Sequence, residues 1–143
     1  MNVCMAQINT LVGDIAGNTQ RVLEVSAAQK AAGAHVVVFP ELTLTGYPPE
    51  DLLLRGDLLD RTEAALAMLC AELSADLTVV VGYPRGRDGA LFNSAGVISG
   101  GKLLAQNDKQ CLPNYEVFDD NRFFASGTEP CVIDIDGLLS LIH

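Results

Sequence analysis

The chain has 143 residues, a net charge of −9 and an isoelectric point of about 4.4, and 49% of its residues are hydrophobic. This length suits one globular domain with its own core, and the composition is neither that of a disordered nor that of a fibrous protein. Because the acidic balance leaves no basic patch, neither nucleic acid nor an anionic membrane surface is expected as a partner.

The sequence also carries no targeting or membrane signal. No apolar run reaches the length of a membrane span, and the N-terminus lacks the basic start and apolar segment of a signal peptide. We therefore expect a cytoplasmic protein. Its four cysteines, Cys4, Cys70, Cys111 and Cys131, form no C-x-x-C pair and have no histidine at metal-ligand spacing. Free thiols and no metal site are expected.

The N-terminal part predicts a β-α-β unit. Residues 3–8 predict a strand, residues 19–32 a helix that Asn18 caps and Gly33 ends, and residues 36–39 a buried strand that Pro40 ends. A helical crossover joins parallel strands, so these two strands are expected to be parallel neighbours.

The remaining elements predict a mixed sheet. Asp57 is expected to cap a second helix that reaches residue 75, and a buried strand at 77–81 is expected to close before a polar loop at 85–89. A hairpin then follows, with strands at 91–98 and 102–106, and a last strand lies at 130–136. The hairpin replaces the helix of a purely parallel fold, so the residues alone predict an α/β layered domain with one mixed sheet.

Glu41 is the first candidate site residue, because it lies just past Pro40, at the carboxyl end of the predicted strand at 36–39. Ligands of open α/β folds bind at the carboxyl ends of the strands, and a carboxylate placed there needs a partner. A paired structural carboxylate or a helix-capping acid is the other interpretation of Glu41.

Lys109 is the second candidate, because it follows the hairpin and begins the most aromatic loop of the chain. Long loops with aromatic residues are often binding loops. The alternatives are a solvated surface lysine and aromatic side chains that anchor the loop on the core.

Two stretches, FPELTLTGYPPEDLLLR at 39–55 and KQCLPNYEVFDDNRFF at 109–124, carry a family resemblance. Together they resemble the glutaminase domain of glutamine-dependent NAD synthetases, which belongs to the nitrilase, or carbon–nitrogen hydrolase, superfamily. The opening stretch VCMAQINTLVGDIAGN at 3–18 is similar to the start of that domain. The resemblance implies that residues 1–143 are the N-terminal portion of a nitrilase-like α-β-β-α sandwich.

The resemblance also implies a glutamate–lysine–cysteine catalytic set. Glu41 aligns with the general base and Lys109 with the lysine, while Tyr47 and Tyr115 align with residues that line the glutamine pocket. In such chemistry a thiolate attacks the carboxamide, the carboxylate carries the proton to the leaving ammonia, and the ammonium stabilises the oxyanion. The ammonia would amidate deamido-NAD in a synthetase domain, to which ATP and Mg²⁺ would belong; no cofactor is expected in this chain.

The sequence departs from the family at the nucleophile. In the family this cysteine lies beyond the strand at 130–136, in an element that residues 138–143 do not resemble. Cys111 is not at that position and is not expected to be catalytic, while Cys4 and Cys131 are expected to be buried strand thiols. Asp120 stands where the family usually has glutamate, which weakens a second carboxylate role there. The chain alone is therefore expected to be inactive.

Three functions remain open from the sequence. The first is an amide-hydrolysing portion of an NAD synthetase, with glutamine as its small-molecule substrate. The second is a short binding or assembly module, and the third is an amidase of the same superfamily that acts on another amide or nitrile. Apolar surface and sheet edges left uncovered predict self-association, so a homo-oligomer is expected.

Overall fold

The computed structural model describes residues 1–113, 120–135 and 137–142. Within these ranges the strands are β1 (Val3–Met5), β2 (Val36–Val38), β3 (Thr78–Arg87), β4 (Ala90–Ser99), β5 (Lys102–Asp108), β6 (Cys131–Ile135) and β7 (Leu138–Ile142). The helices are α1 (Ile15–Ala31), α2 (Gly56–Glu72), the short α3 (Asp120–Phe123) and a 3₁₀ helix (Glu50–Leu54). No helix in the described part of the chain is long and apolar enough to cross a membrane.

Five strands form one mixed sheet in the order β1-β2-β3-β4-β5. β1 pairs with β2 and β2 with β3 in parallel, whereas β3–β4 and β4–β5 are antiparallel. Both the predicted parallel pair and the mixed sheet are confirmed. β6 and β7 form a separate antiparallel pair; the strand β7 was not predicted.

Helix α1 begins four residues before its predicted start. Its cap is Asp14, whose side chain accepts a hydrogen bond from the amide of Gly17 at 3.0 Å, so the prediction of Asn18 as the cap was wrong. Asn18 instead lies inside the helix, 3% exposed. Its side chain bonds both the amide and the carbonyl of Leu11 and also reaches the carbonyl of Leu44.

Helix α2 begins at Gly56, preceded by Arg55, whose side chain makes no capping hydrogen bond. The predicted cap Asp57 lies in the first turn and pairs with Arg61. The two long helices contact each other. One face of α2 is buried, with Leu58, Thr62, Ala65, Leu66 and Leu69 all inaccessible or nearly so. The apolar residues of this face belong to the hydrophobic core together with Val37 of β2, Val79 and Val81 of β3, and Val22 of α1.

The predicted loop at 85–89 is mostly strand. β3 continues through Pro84 to Arg87, and the hairpin turns at Asp88 and Gly89, which have φ of 52° and 77°. The prediction failed because Pro84 is tolerated here: β2 pairs only as far as Val38 opposite Val80, so the later part of β3 has a free edge on that side.

Candidate active site at the end of the central strands

Glu41 lies three residues past the end of β2, in a turn that backbone hydrogen bonds hold in place. Leu42, the next residue, has a φ of 49° although it is not glycine, and it is fully buried. The Thr43 hydroxyl donates to the carbonyl of Pro40 at 2.5 Å, and the amide of Thr45 donates to the carbonyl of Leu42 at 3.2 Å. A left-handed leucine is uncommon, so this turn fixes where the Glu41 side chain starts.

The turn packs directly against β3 at Gly82. A Cβ atom on Gly82 would lie 2.5 Å from the amide nitrogen of Leu42 and 2.9 Å from the carbonyl oxygen of Pro40. The carbonyl of Gly82 also accepts a hydrogen bond from the amide of Leu44 at 3.2 Å. Only a residue without a side chain lets the two backbones approach this closely.

Lys109 lies at the corresponding end of β5. Its backbone amide donates to the carbonyl of Asn93 in β4 at 2.8 Å, and its carbonyl accepts from the amide of Gly127 at 2.9 Å. Hydrogen bonds therefore fix both the amide and the carbonyl of Lys109. Its side chain is 29% exposed, which contradicts the interpretation of Lys109 as a solvated surface lysine.

The ammonium of Lys109 lies between two carboxylates. Its Nζ is 2.8 Å from Oε1 of Glu41 and 3.0 Å from Oδ2 of Asp120. The side chain of Glu41 is 43% exposed and that of Asp120 only 7%. Asn93, 4% exposed, donates from Nδ2 to the same Oε1 at 2.5 Å. In the described part of the chain no hydrogen bond reaches Oε2 of Glu41.

These contacts change the protonation of the cluster. Partial burial lowers the pKa of Lys109, but the hydrogen bonds and charges of Glu41 and Asp120 outweigh it and raise the pKa above that of a free lysine. Burial, then the negative charges of Asp120 and Glu41, raise the pKa of the Tyr47 hydroxyl. The ammonium and the phenol therefore both stay protonated at neutral pH.

The structure brings together some, but not all, of the predicted site residues. Glu41 and Lys109 are in contact, and Tyr47, 39% exposed, lies close enough to feel their charges. Tyr115 lies outside the described residues. Asp120 binds Lys109 although its shorter side chain argued against a role. Asn93 was missed; its one signal was an amide inside the mostly apolar strand at 91–98.

A cavity of about 630 Å³ opens beside Glu41. Its polar end holds Glu41, Asn93, Ser94, Asn107 and Lys109, and its walls are apolar side chains of β1, β2, β3 and the β6–β7 pair. Among the described residues that line it, none is a cysteine.

The cysteines are free thiols at other places. Cys111 is exposed, whereas Cys4 and Cys131 lie in strands but are only half-buried, so the prediction that they are buried was wrong. The short strands β1 and β6 each leave one face partly open.

A fold and site of this kind define an enzyme-like α/β domain that places a carboxylate and an ammonium at the strand ends. The family model described as "Carbon-nitrogen hydrolase" matches residues 2–137. The chain therefore belongs to the carbon-nitrogen hydrolase family, which is the nitrilase superfamily that the motifs at 39–55 and 109–124 resemble.

Curated relatives within this family are similar to the chain over most of its length. A glutamine-dependent NAD(+) synthetase of Aquifex aeolicus (strain VF5) is 40% identical over 138 residues, covering 96% of this chain and 24% of that protein. One of Mycobacterium bovis (strain ATCC BAA-935 / AF2122/97) is 44% identical over 121 residues, covering 83% of this chain and 18% of that protein. The chain thus spans about a quarter or less of these relatives' length.

Solved structures confirm the predicted fold. A glutamine-dependent NAD+ synthetase from Acinetobacter baumannii in complex with adenosine diphosphate superposes with a TM-score of 0.91 at 38% identity, over 96% of this chain and 26% of that chain. An amidase from Nesterenkonia sp. gives 0.82 at 21% identity, over 97% of this chain and 53% of that chain, a likeness of fold alone. The chain is the N-terminal part of a nitrilase-like fold with a mixed sheet.

Proposed function

We propose that this chain supplies the base and the lysine of a site that hydrolyses the carboxamide of glutamine, within a protein of the glutamine-dependent NAD synthetase type. The observation that carries the proposal is the contact of 2.8 Å between Glu41 Oε1 and Lys109 Nζ beside the cavity. The curated relatives that match 96% of the chain support glutamine as the amide. The ammonia released would amidate deamido-NAD elsewhere in such a protein.

The geometry gives each group a task. Oε2 of Glu41, which no donor of the described residues occupies, is the oxygen that takes the thiol proton and later passes it to the leaving nitrogen. The Lys109 ammonium stabilises the oxyanion, a contribution of about 3–4 kcal/mol in comparable sites. Asp120 keeps that ammonium charged and fixes its direction.

The nucleophile comes from a residue that is not among the described lining residues of the cavity. We infer this because none of those residues is a cysteine, and Cys111, two positions from Lys109, does not line the cavity. The 143-residue chain on its own is therefore expected to release no ammonia from glutamine.

A hybrid protein tests the proposal. Residues 1–137 of this chain replace the matching segment of the Aquifex aeolicus relative, and ammonia release from L-glutamine is measured. We expect activity in the hybrid and a loss of at least about 100-fold in its Glu41→Gln variant. The control is Glu24→Gln, an exposed carboxylate on α1. A hybrid that folds but does not hydrolyse glutamine, or a Glu41→Gln hybrid as active as the control, contradicts the proposal.

A further inference from the structure

Asn93 is a buried amide at the meeting point of the two site residues. It lies in β4, 4% exposed, opposite Pro84 of β3. Its neighbours along the strand, Phe92 and Ser94, are also buried. Burying an amide costs free energy unless its polar atoms form hydrogen bonds. The hydrogen-bond partners of Asn93 are Glu41 and Lys109, the two candidate site residues.

Asn93 bonds one site residue through its side chain and the other through its backbone. Its Nδ2 donates to Oε1 of Glu41 at 2.5 Å, and its carbonyl accepts from the amide of Lys109 at 2.8 Å. The direction of the first bond is fixed, because an ionised carboxylate only accepts. One residue of β4 therefore contacts both site residues, the carboxylate of Glu41 and the backbone of Lys109.

We propose that Asn93 is a positioning residue that holds Oε1 of Glu41 against the Lys109 ammonium and leaves Oε2 directed away from both donors. The catalytic part of this proposal rests on the proposed function; the positioning itself does not.

The Glu41 side chain needs a second hydrogen bond to fix its position, because it is partly exposed. Its side chain is 43% exposed, and a solvated glutamate loses rotamer freedom when it is fixed in one place. A bond to Lys109 alone does not fix it, since a lysine side chain is also flexible and exposed pairs of this kind are weak. The rigid, buried amide of Asn93 supplies a second, charge-assisted bond to the same oxygen.

The test follows the titration of Lys109 by NMR of its side chain in the full chain. In Asn93→Ala the Glu41 carboxylate leaves the ammonium, so we expect the pKa of Lys109 to fall toward that of a free lysine. The control is Thr62→Ala. Thr62 in α2 is 1% exposed and donates to the carbonyl of Leu58, so its loss costs stability without touching the ion cluster.

A double-mutant comparison separates positioning from packing. In a Glu41→Gln background, Asn93→Ala is expected to change the pKa of Lys109 no further. Asn93 acts on that pKa by holding the Glu41 carboxylate, and this carboxylate is already absent. The proposal is overturned if Asn93→Ala leaves that pKa unchanged, if Thr62→Ala lowers it equally, or if the effect persists in the Glu41→Gln background.

A second measurement leaves Asn93 in place, in case its variants do not fold. The side-chain amide protons of Asn93 are recorded in the unsubstituted chain and in Glu41→Ala. We expect an upfield move of the bonded proton when its carboxylate acceptor is lost. An unchanged resonance shows that Asn93 does not hold Glu41.

The hybrid protein then reports the catalytic part. Asn93→Ala is expected to lower kcat for glutamine by up to about 100-fold, the effect of a reacting group misplaced by an ångström, with KM nearly unchanged. A fall in kcat no larger than that of the Glu24→Gln control overturns the catalytic part. If the unsubstituted hybrid has no glutaminase activity, the proposed function fails while the titration still decides the positioning.

Discussion

Nζ of Lys109 lies 2.8 Å from Oε1 of Glu41, although 68 positions separate the two residues in the chain. The contact forms because β2 and β5 end at the same side of the sheet, with β3 and β4 between them. Asn93 on β4 fills the gap between the two strand ends. The sheet topology therefore determines the site.

The first prediction concerns the charge of Lys109. Asp120→Asn removes one of the two carboxylates that raise its pKa, so the pKa of Lys109 is expected to fall, as measured by NMR titration. Asp60→Asn, on the exposed face of α2, is the control and is expected to leave it unchanged. A pKa of Lys109 that is equal in both variants contradicts the ion cluster.

The same ion cluster predicts a loss of stability at alkaline pH. Because the folded pKa of Lys109 is raised above 10.5, its charge stabilises the folded state fully below that pH, and the contribution disappears as the pH rises through the folded pKa. The free energy of unfolding, measured by urea titration at increasing pH, is expected to fall less steeply in Asp120→Asn than in the unsubstituted chain. An equal slope argues against a contribution from this pair.

Replacement of Gly82 by alanine is predicted to lower the free energy of unfolding. The added Cβ would meet the amide of Leu42 at 2.5 Å, and overpacking of this kind costs about 1–3 kcal/mol. Gly56→Ala is the matched control, since nothing lies within 4 Å of its Cβ and alanine favours the start of α2. Chemical denaturation compares the two; equal stability of both variants shows that the turn around Glu41 is free to move.

Asp108 is predicted to matter more for stability than an exposed ion pair. It is 6% exposed and binds Arg85 at 3.3 Å, Arg87 at 3.0 Å and the Ser94 hydroxyl at 2.5 Å. Asp108→Asn removes the charge of a buried carboxylate, but Arg85 and Arg87 are 24% and 43% exposed, so water screens the guanidinium groups that remain. We expect a cost of about 1–2 kcal/mol from the lost hydrogen bonds.

The control for Asp108 is Asp76→Asn. Asp76, whose side chain is 77% exposed, pairs with Lys30, and such a surface pair contributes less than about 1 kcal/mol. Thermal unfolding of both variants is the measurement. A cost for Asp108→Asn as small as that of Asp76→Asn contradicts its assignment as a buried anchor beside Lys109.

The sequence alone predicted the mixed sheet with its parallel pair, and it singled out Glu41 and Lys109, which the structure brings into contact. Their catalytic roles stay predictions. The strand at 36–39 and the hairpin after residue 90 have clear apolar patterns and turn residues. Glu41 and Lys109 lie two and three residues past the ends of predicted strands. Asn93 and Asp120 could not be identified as site residues in this way. Their partners, Glu41 and Lys109, lie in distant parts of the sequence. A pattern along the chain does not report such contacts.

The boundaries that the sequence misplaced have local physical causes. Asp14 and Asn18 are both good capping residues, and the choice between them depends on Asn18 being needed by Leu11 and Leu44. Pro84 is a chain breaker in a central strand, but the end of β2 leaves it at a free edge. Both outcomes depend on tertiary contacts.

The most direct test of the central claim compares two nitrogen sources in the hybrid protein that carries Glu41→Gln. We expect glutamine-supported NAD formation to fall at least about 100-fold, while formation supported by added ammonia stays at the level of the unsubstituted hybrid. This result places Glu41 in amide hydrolysis and nowhere else. If both rates fall together, or if the glutamine-supported rate survives, the Glu41–Lys109 site is not the source of ammonia.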